Sequence, residues 1–299
     1  MTTGRFAPSP SGSLHLGNLR TALLAWCFAR SEGGRFLVRM EDLTTGAEPV
    51  CEAEQLADLA ALGVTHDGPV VRQSERRHLH DRAVDALTTA GLTYPCFCSR
   101  REVREAASAP HGLDPEGAYP GTCRDLTGGE QDERRRAGRE PALRLRADGV
   151  PVEVVDRLHG RAVGSVDDMV LRRADGVAAY NLAVVVDDAD QGVDQVVRGD
   201  DLLGTTPRQV LLQRLLGLPT PEYVHVPMVL GPDGARLAKR HGAVTLADRM
   251  ALGESPGSVV GRLAASLGLG RAGEELTAEL LLERFDPTVI DLRPWVLDA

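Results

Sequence analysis

The chain has 299 residues, of which 42% are hydrophobic and 26% are charged, and its net charge is −9. This composition excludes a disordered protein, and no apolar run approaches the length of a membrane helix. The N-terminal residues lack the apolar core of a signal peptide. Five cysteines are an odd number, which favours reduced thiols or a metal site over a disulfide framework. We therefore expect a cytoplasmic protein without a membrane partner.

Strands and helices are predicted to alternate in the first quarter of the chain. Residues 4–10 predict a short strand that ends in a turn, and a helix follows from Ser13 or His15 to the Gly33-Gly34 pair. A strand is predicted at 36–40 and a helix at 48–62. This order is typical of a parallel α/β sheet.

The pattern changes between about 94 and 150, a stretch rich in Gly, Pro, Arg and Cys that predicts an insertion with its own small fold. Further elements are predicted as strands at 177–187, 193–198 and 223–230, a helix at 207–216, and helices near 245–251, 256–268 and 274–285. Arginine clusters at 100–104, 134–139 and 172–173 permit a basic surface in the middle of an acidic chain.

Two distant segments carry the first signs of chemistry. Between Ser11 and Asn18 a predicted strand turns into a helix N-terminus, where backbone N–H groups and the helix dipole favour an anion. Within that turn, His15 can donate a hydrogen bond to a phosphate oxygen. More than two hundred residues later, the loop Gly231–Gly242 contains Lys239, which is the only lysine among 34 basic residues. Neither a Gly-x-x-x-x-Gly-Lys loop nor a Gly-x-Gly-x-x-Gly turn after the first strand is present.

A metal site is suggested by three of the cysteines. Cys96, Cys98 and Cys123 supply three thiolates, and a structural zinc ion needs four ligands. Zinc chemistry alone would favour His111 as the fourth. Cys27 and Cys51 lie in predicted helices, where burial is the simplest expectation.

The Pro-Ser-Gly-x-x-His-x-Gly turn at residues 10–17 and the lysine loop resemble the paired ATP-binding motifs of the class I aminoacyl-tRNA synthetases. Asn18 replaces the second histidine of the first motif, and Arg236 and Ala238 depart from the second motif around Lys239. The resemblance narrows to the glutamyl branch through segments that span most of residues 5–242. They are residues 5–12 (RFAPSPSG), 38–42 (VRMED), 180–188 (YNLAVVVDD), 197–201 (VRGDD) and 206–209 (TPRQ).

The resemblance implies a fold class, α/β, with a class I synthetase Rossmann-like parallel sheet, a zinc-bearing insertion and a short C-terminal helical subdomain. It places the first half of the catalytic domain at 1–93 and the second half at 176–235. The insertion, with its zinc site and a tRNA-facing surface, would occupy 94–175. Residues 236–299 would form the lysine loop and the helical subdomain, with no anticodon-binding domain after it.

The resemblance also implies the site. ATP, accompanied by Mg²⁺, would be bound by His15, Gly17, Asn18 and Lys239, and His15 and Lys239 would be the catalytic residues. L-Glutamate would be bound by Arg5, Phe6, Ala7, Pro8, Ser9, Glu41, Tyr180 and Arg198. For Asp42, Asp187 and Asp188 a structural role is at least as good an explanation as a role in ligand binding. One structural zinc ion would be held by Cys96, Cys98, Cys123 and, following one subfamily, Tyr119 rather than His111.

Only 59 residues follow Arg240 (299 − 240), which leaves no room for an anticodon-binding domain. The chain is therefore similar to a truncated branch of the family, the glutamyl-Q tRNA(Asp) synthetases. That branch activates glutamate without tRNA and transfers it to queuosine, in the anticodon stem-loop of tRNA(Asp). The alternatives are a short glutamyl-tRNA synthetase that charges a tRNA 3′ end, and an inactive paralogue that acts as a binding protein. We expect a monomer.

Overall fold

The computed structural model describes residues 1–43, 46–107, 119–237, 239–242 and 244–297, without the side chains of residues 104–107 and 239. Helices and strands alternate in the first third of the chain. In order they are β1 (Thr3–Phe6), α1 (Leu16–Ser31), β2 (Arg35–Met40), α2 (Pro49–Ala61), β3 (Val71–Arg72), α3 (Arg77–Thr89) and β4 (Thr93–Cys96). The predicted helices and strands of this region are confirmed within one to three residues, except that the first strand ends at Phe6.

The middle third contains α4 (Arg100–Ala107), α5 (Gly128–Arg136), β5 (Ala142–Leu145), β6 (Val150–Asp156), β7 (Gly160–Val166), β8 (Val170–Arg172), α6 (Tyr180–Asp190) and β9 (Gln195–Gly199). The last third contains α7 (Thr206–Leu216), β10 (Glu222–Val226), β11 (Val229–Leu230), α8 (Leu246–Ala251), α9 (Pro256–Ala265), α10 (Ala278–Glu283) and β12 (Trp295–Val296). Pro227, which has no N–H to donate, separates β10 from β11 in the predicted strand 223–230.

A seven-stranded sheet with the order β3-β2-β1-β9-β10-β6-β7 forms the centre of the molecule. All neighbouring strands are parallel except β6 and β7, which form an antiparallel hairpin. One apolar cluster joins one face of the sheet to α1, α2, α9 and α10, and a second joins the other face to α3, α6 and α7. The chain is thus a three-layer α/β protein, as predicted, and the C-terminal helices share their core with α1. Among the described helices none is long and apolar enough to span a membrane.

A separate three-stranded antiparallel sheet, in the order β4-β5-β8, lies within the predicted insertion. The hairpin β6–β7 also falls within 94–175, but it extends the main sheet through the pairing of Asp156 with Tyr223 on β10. In this hairpin the apolar residues Val152, Val154 and Val166 are buried in the core around α7. The predicted insertion 94–175 is therefore divided between the small sheet and the main sheet. The domain boundaries themselves stay a prediction.

The strand predicted at 177–187 is wrong, because residues 180–190 form α6. The run of Leu, Ala and Val has the β-branched composition of a buried strand, and periodicity cannot separate such a run from a helix that is buried all round. Here α6 is packed against α3 and α7. Consecutive residues from Leu182 to Asp188 are consequently all buried.

A buried charge network joins α6 to the sheet. The carboxylate of Asp188 lies 2.7 Å from Arg39 Nη1 and 3.2 Å from Arg5 Nε, so that one carboxylate pairs with arginines from β1 and β2. Burial alone would raise the pKa of Asp188, but the two guanidinium groups outweigh it and hold the pKa below its ordinary value. Asp188 is therefore ionised, and it neutralises part of the positive charge that the strands bring into the core.

We predict that Asp188→Asn lowers the free energy of unfolding by about 3 kcal/mol at pH 7, because it leaves two buried arginines without their shared carboxylate. The pKa of Asp188 is lowered in the folded state, so its contribution is complete above about pH 4, the ordinary value for aspartate. The contribution is lost as the pH falls from there through the lowered pKa. Urea unfolding of both proteins between pH 7 and pH 3 measures this difference.

The matched control is Asp190→Asn in the same helix. Asp190 pairs with Arg76 at 2.5 Å but is half-exposed, so we expect this change to cost less than about 1 kcal/mol. Equal destabilisation by the two substitutions at pH 7 would show that Asp188 does not carry the proposed charge pairing.

Candidate functional site

A cavity of about 490 Å³ opens at the carboxyl ends of β1, β2 and β9. The sheet order changes direction between β1 and β9, which is where α/β sheets bind ligands. Most of the residues predicted to bind ATP or glutamate line this one cavity. They are Arg5, Phe6, Ala7, Pro8, Ser9, His15, Gly17, Asn18, Glu41, Tyr180 and Arg198.

The N-terminus of α1 forms one wall of the cavity and is held by a reciprocal cap. His15 Nδ1 accepts from the Asn18 backbone N–H at 3.2 Å, and Asn18 Oδ1 accepts from the His15 backbone N–H at 3.2 Å. Burial lowers the pKa of His15, so the ring is neutral at pH 7. Because Nδ1 is the acceptor, the proton lies on Nε2. The ring can thus offer an N–H donor to the cavity without carrying charge.

Gly17 leaves little room beside this ring. A Cβ atom at Gly17 would lie 3.0 Å from His15 Nδ1 and Cε1 and 3.3 Å from Val229 Cβ. A larger residue would therefore require the imidazole or Val229 to move by a few tenths of an ångström.

The segment after the lysine loop is bound directly to the start of α1. Val244 O accepts from Leu16 N at 2.7 Å, and His15 and Thr245 form an isolated antiparallel bridge. Residues 239–241 form a 3-10 turn, while Ala238 and the Lys239 side chain lie outside the described part of the molecule. Arg236 lines the cavity and pairs with Asp201 at 2.8 Å. The two predicted ATP motifs thus meet at this wall.

The loop between β1 and α1 is shaped by α2. Gln55 Nε2 donates to Ser9 O at 3.0 Å and to Gly12 O at 2.7 Å. Glu41 N donates to Pro8 O at 2.8 Å, which attaches the same loop to the end of β2. Gln55 was not predicted as a residue that shapes the site. A glutamine on the buried face of an amphipathic helix is a signal that could have indicated this role.

The two predicted carboxylate-binding arginines have different surroundings. Arg5 already shares Asp188 with Arg39. By contrast, no carboxylate in the described residues lies within ion-pair distance of Arg198, which is only 5% exposed and contacts neutral acceptors. A buried cation at a cavity wall without a protein counter-ion favours an anionic ligand.

Glu41 and Tyr180 complete the polar lining. Burial raises the pKa of Glu41, and the nearby Arg39 and Arg5 partly offset this effect. Tyr180 is at the start of α6 and remains half-exposed. Besides the paired Arg236 and Asp201, the cavity lining thus has two arginines, one carboxyl group and one phenol, a set that matches a ligand with two carboxylates and one amine.

Asp42 and Asp187 have structural partners. Asp42 accepts from the Ser74 backbone N–H at 2.8 Å and from its hydroxyl at 2.5 Å. Asp187 accepts from Gln73, Arg76 and His80 in the region of α3. Both carboxylates are occupied in joining elements behind the cavity wall.

The cysteine cluster lies at the end of β4, in the small sheet. The Sγ atoms of Cys96, Cys98 and Cys123 all lie within 4.8 Å of one another, and Cys98 and Cys123 approach to 3.5 Å. Tyr119 Oη is 3.3 Å from Cys96 Sγ and 3.8 Å from Cys98 Sγ. His111 lies outside the described residues, Cys27 is buried as expected, and Cys51 is half-buried.

Comparison with known proteins agrees with this geometry. Residues 1–277 match the family model of the tRNA synthetases class I (E and Q), catalytic domain. A relative from Nocardia farcinica is 61% identical over 98% of this chain and 92% of its own length, and one from Symbiobacterium thermophilum is 51% identical over 98% and 95%. Both relatives are named glutamyl-Q tRNA(Asp) synthetase.

A solved structure of a glutamate tRNA ligase from Elizabethkingia meningosepticum, in complex with its amino acid, superposes with a TM-score of 0.84 at 26% identity. The alignment covers 100% of this chain and 67% of the ligase. A methionyl-tRNA synthetase from Mycobacterium tuberculosis, 13% identical with a TM-score of 0.57 over 88% of this chain and 64% of its own, shares the fold alone. The chain therefore belongs to the family of class I tRNA synthetases of the E and Q type.

Proposed function

We propose that this protein activates L-glutamate with ATP and transfers it to the queuosine base at the first anticodon position of tRNA(Asp). The observation that carries the proposal is Arg198, a buried cation that has no counter-ion among the described residues and lies in the same cavity as the capped His15. Relatives that carry the name of this activity match the chain over nearly its whole length. We also propose that it acts as a cytoplasmic monomer.

In the first step an oxygen of the glutamate α-carboxylate attacks the α-phosphorus of ATP. The bond to the bridging oxygen breaks, and pyrophosphate leaves with the electron pair. His15 Nε2–H donates to a phosphate oxygen, and Lys239 supplies the cation on the departing pyrophosphate. Mg²⁺ enters with ATP, held mainly by its phosphates. Catalysis in this step consists mostly of positioning and electrostatic stabilisation.

The glutamate is held by the groups at the ends of β1, β2 and β9. Arg5 and Arg198 bind carboxylates, Glu41 binds the ammonium group and Tyr180 adds a hydroxyl. Ser9 and the backbone of residues 5–9 position the α-carboxylate. In the second step a hydroxyl of queuosine attacks the carbonyl carbon of the adenylate, an ester forms, AMP leaves and the hydroxyl proton passes to solvent.

The anticodon stem-loop needs a surface that attracts phosphates. Arg134, Arg135 and Arg136 lie in the last turn of α5, which buries none of its residues. This exposed basic turn belongs to the predicted tRNA-facing segment 94–175. It supports a polyanion as the macromolecular partner of an otherwise acidic protein.

We predict glutamate-dependent exchange of pyrophosphate into ATP in the absence of tRNA, followed by transfer to tRNA(Asp) that contains queuosine. Transfer to tRNA(Asp) lacking queuosine, and to tRNA(Glu), is expected to be absent. The assay uses labelled glutamate with the three tRNAs side by side. Charging of tRNA(Glu) alone would identify a short tRNA-charging enzyme, and no exchange in zinc-replete protein would identify an inactive paralogue.

Lys239→Arg is expected to reduce the exchange rate at least about a hundredfold, because the planar guanidinium cannot follow the leaving pyrophosphate as a single point charge. Arg35→Lys serves as the control, because it is the reverse exchange of arginine and lysine at the exposed amino end of β2. Equal rates for Lys239→Arg and the wild type would remove Lys239 from the mechanism. Unfolding curves check that both variants are folded.

We further propose one structural zinc ion bound by Cys96, Cys98, Cys123 and Tyr119. The thiol separations fit a tetrahedral zinc site, and Tyr119 Oη, which accepts from the Cys123 backbone N–H at 2.9 Å, lies 3.3 Å from Cys96 Sγ. Zinc would hold the end of β4 to the loop around Cys123. It takes no part in the activation step.

We predict one equivalent of zinc in purified protein by elemental analysis, and its loss in Cys123→Ser. Cys51→Ser, a substitution of a half-buried cysteine on α2, should keep the metal. Tyr119→Phe should release zinc to a chelator faster than the wild type does. Full retention of zinc by Cys123→Ser, or unchanged release from Tyr119→Phe, would contradict this ligand set.

A further inference from the structure

A buried imidazole lies directly behind Arg198. His225 on β10 is completely buried, and its Nδ1 is 2.7 Å from Asp156 Oδ2 at the end of β6. The same oxygen accepts from the His225 backbone N–H at 2.9 Å. Asp156 Oδ1 accepts from the backbone N–H groups of Leu158 and His159 at 3.0 and 2.9 Å. Asp156 is thus surrounded by donors, as an ionised carboxylate requires.

The carboxylate determines the tautomer of His225. Since Asp156 can only accept, the proton of the neutral ring lies on Nδ1 and the lone pair on Nε2. Nε2 is 3.1 Å from Arg198 Nε and 3.1 Å from Thr206 Oγ1. Burial lowers the pKa of His225, with Arg198 adding to this effect against Asp156, so the ring is neutral at pH 7. A lone pair is therefore presented to the Arg198 Nε–H.

The remaining contacts of Arg198 fix the plane of its guanidinium group. Nη1 donates to Gln209 Oε1 and Nη2 donates to Thr206 Oγ1, each at 2.8 Å. Together with Nε, these bonds use three of the five N–H groups of an arginine. Within the described residues the other two, one on each Nη, have no protein acceptor. Two N–H groups of one guanidinium are what a carboxylate needs for bidentate binding.

The topology of the sheet explains how the three side chains meet. In the parallel sheet β10 lies between β9 and β6, and His225 is the register partner of Arg198. Asp156, Arg198 and His225 all lie within the last two residues of their strands. The carboxyl ends of the three strands therefore bring them together at the same edge of the sheet.

We infer that Asp156 and His225 are positioning residues that hold Arg198 in the orientation that binds the substrate carboxylate. The inference rests on the proposed function, in which Arg198 binds glutamate. The chain of hydrogen bonds runs from Asp156 through His225 to the Nε–H of Arg198, and one N–H on each Nη remains for the ligand. Neither residue touches the substrate, so their effect is on glutamate affinity and not on the reaction with ATP.

The kinetic test compares two substitutions at one position. His225→Leu removes the acceptor, and we expect the KM for glutamate to rise about tenfold or more while the KM for ATP changes less than about twofold. In His225→Gln the amide oxygen reaches the place of Nε2, so most of the glutamate affinity should return. His66→Leu, at an exposed histidine, is the control. Equal increases in both KM values, or no difference between Leu and Gln, would overturn the inference.

A spectroscopic test does not depend on activity. In protein with ¹⁵N-labelled histidine, the His225 signal, assigned by its loss in His225→Gln, should show a protonated Nδ1 and an unprotonated Nε2. Asp156→Asn should disturb this tautomer and raise the KM for glutamate as His225→Leu does. A proton on Nε2 in the wild type would refute the positioning role. Absence of glutamate-dependent exchange in the wild type would instead refute the proposed function.

Discussion

One buried carboxylate, that of Asp188, determines much of the arrangement around the cavity. It pairs with arginines on two neighbouring strands, one of which, Arg39, is fully buried. Without it the carboxyl ends of β1 and β2 would hold two like charges in a region of low dielectric. Because Asp188 belongs to α6, the pairing also fixes that helix against the sheet. The position of Tyr180 at the start of α6 follows from the same contact.

Arg198, another buried arginine, has the opposite kind of surroundings. Arg198 is surrounded by an imidazole, a hydroxyl and an amide, all neutral acceptors that bind three of its five N–H groups without cancelling its charge. Arg5 and Arg39 share Asp188, and Glu41 lies 3.5 Å from Arg39. The positive charge left for a ligand is therefore concentrated at Arg198. A carboxylate bound there would supply the counter-ion that is missing among the described residues.

Much of this organisation could be predicted from the sequence, and the failures have physical causes. The bounds of α1 could be predicted because its histidine cap, His15, and the glycines after its end are visible in the sequence. The predicted ligand-binding residues line one cavity because motifs at strand ends meet at one edge of a parallel sheet. Residues 177–187 were predicted as a strand, although 180–190 form a helix, because local β propensity cannot reveal burial on every side. The pairing of Asp156 with His225 was missed because it depends on the β6–β7 hairpin joining the main sheet beside β10. That pairing joins residues 69 positions apart and leaves no local pattern.

The distribution of cations in the chain matches the two tasks that the proposed chemistry assigns to them. The amino-acid carboxylates stay in place during activation, and arginines at strand ends, each fixed by several hydrogen bonds, suit a ligand that does not move. The pyrophosphate moves away, and the cation assigned to it is the single lysine of the chain, in a short turn. The hydrogen bond from Leu16 to Val244 brings the segment after that turn to the N-terminus of α1. The neutral His15 donor and the lysine turn thus belong to one wall, and the fixed Arg5 and Arg198 belong to the carboxyl ends of β1 and β9.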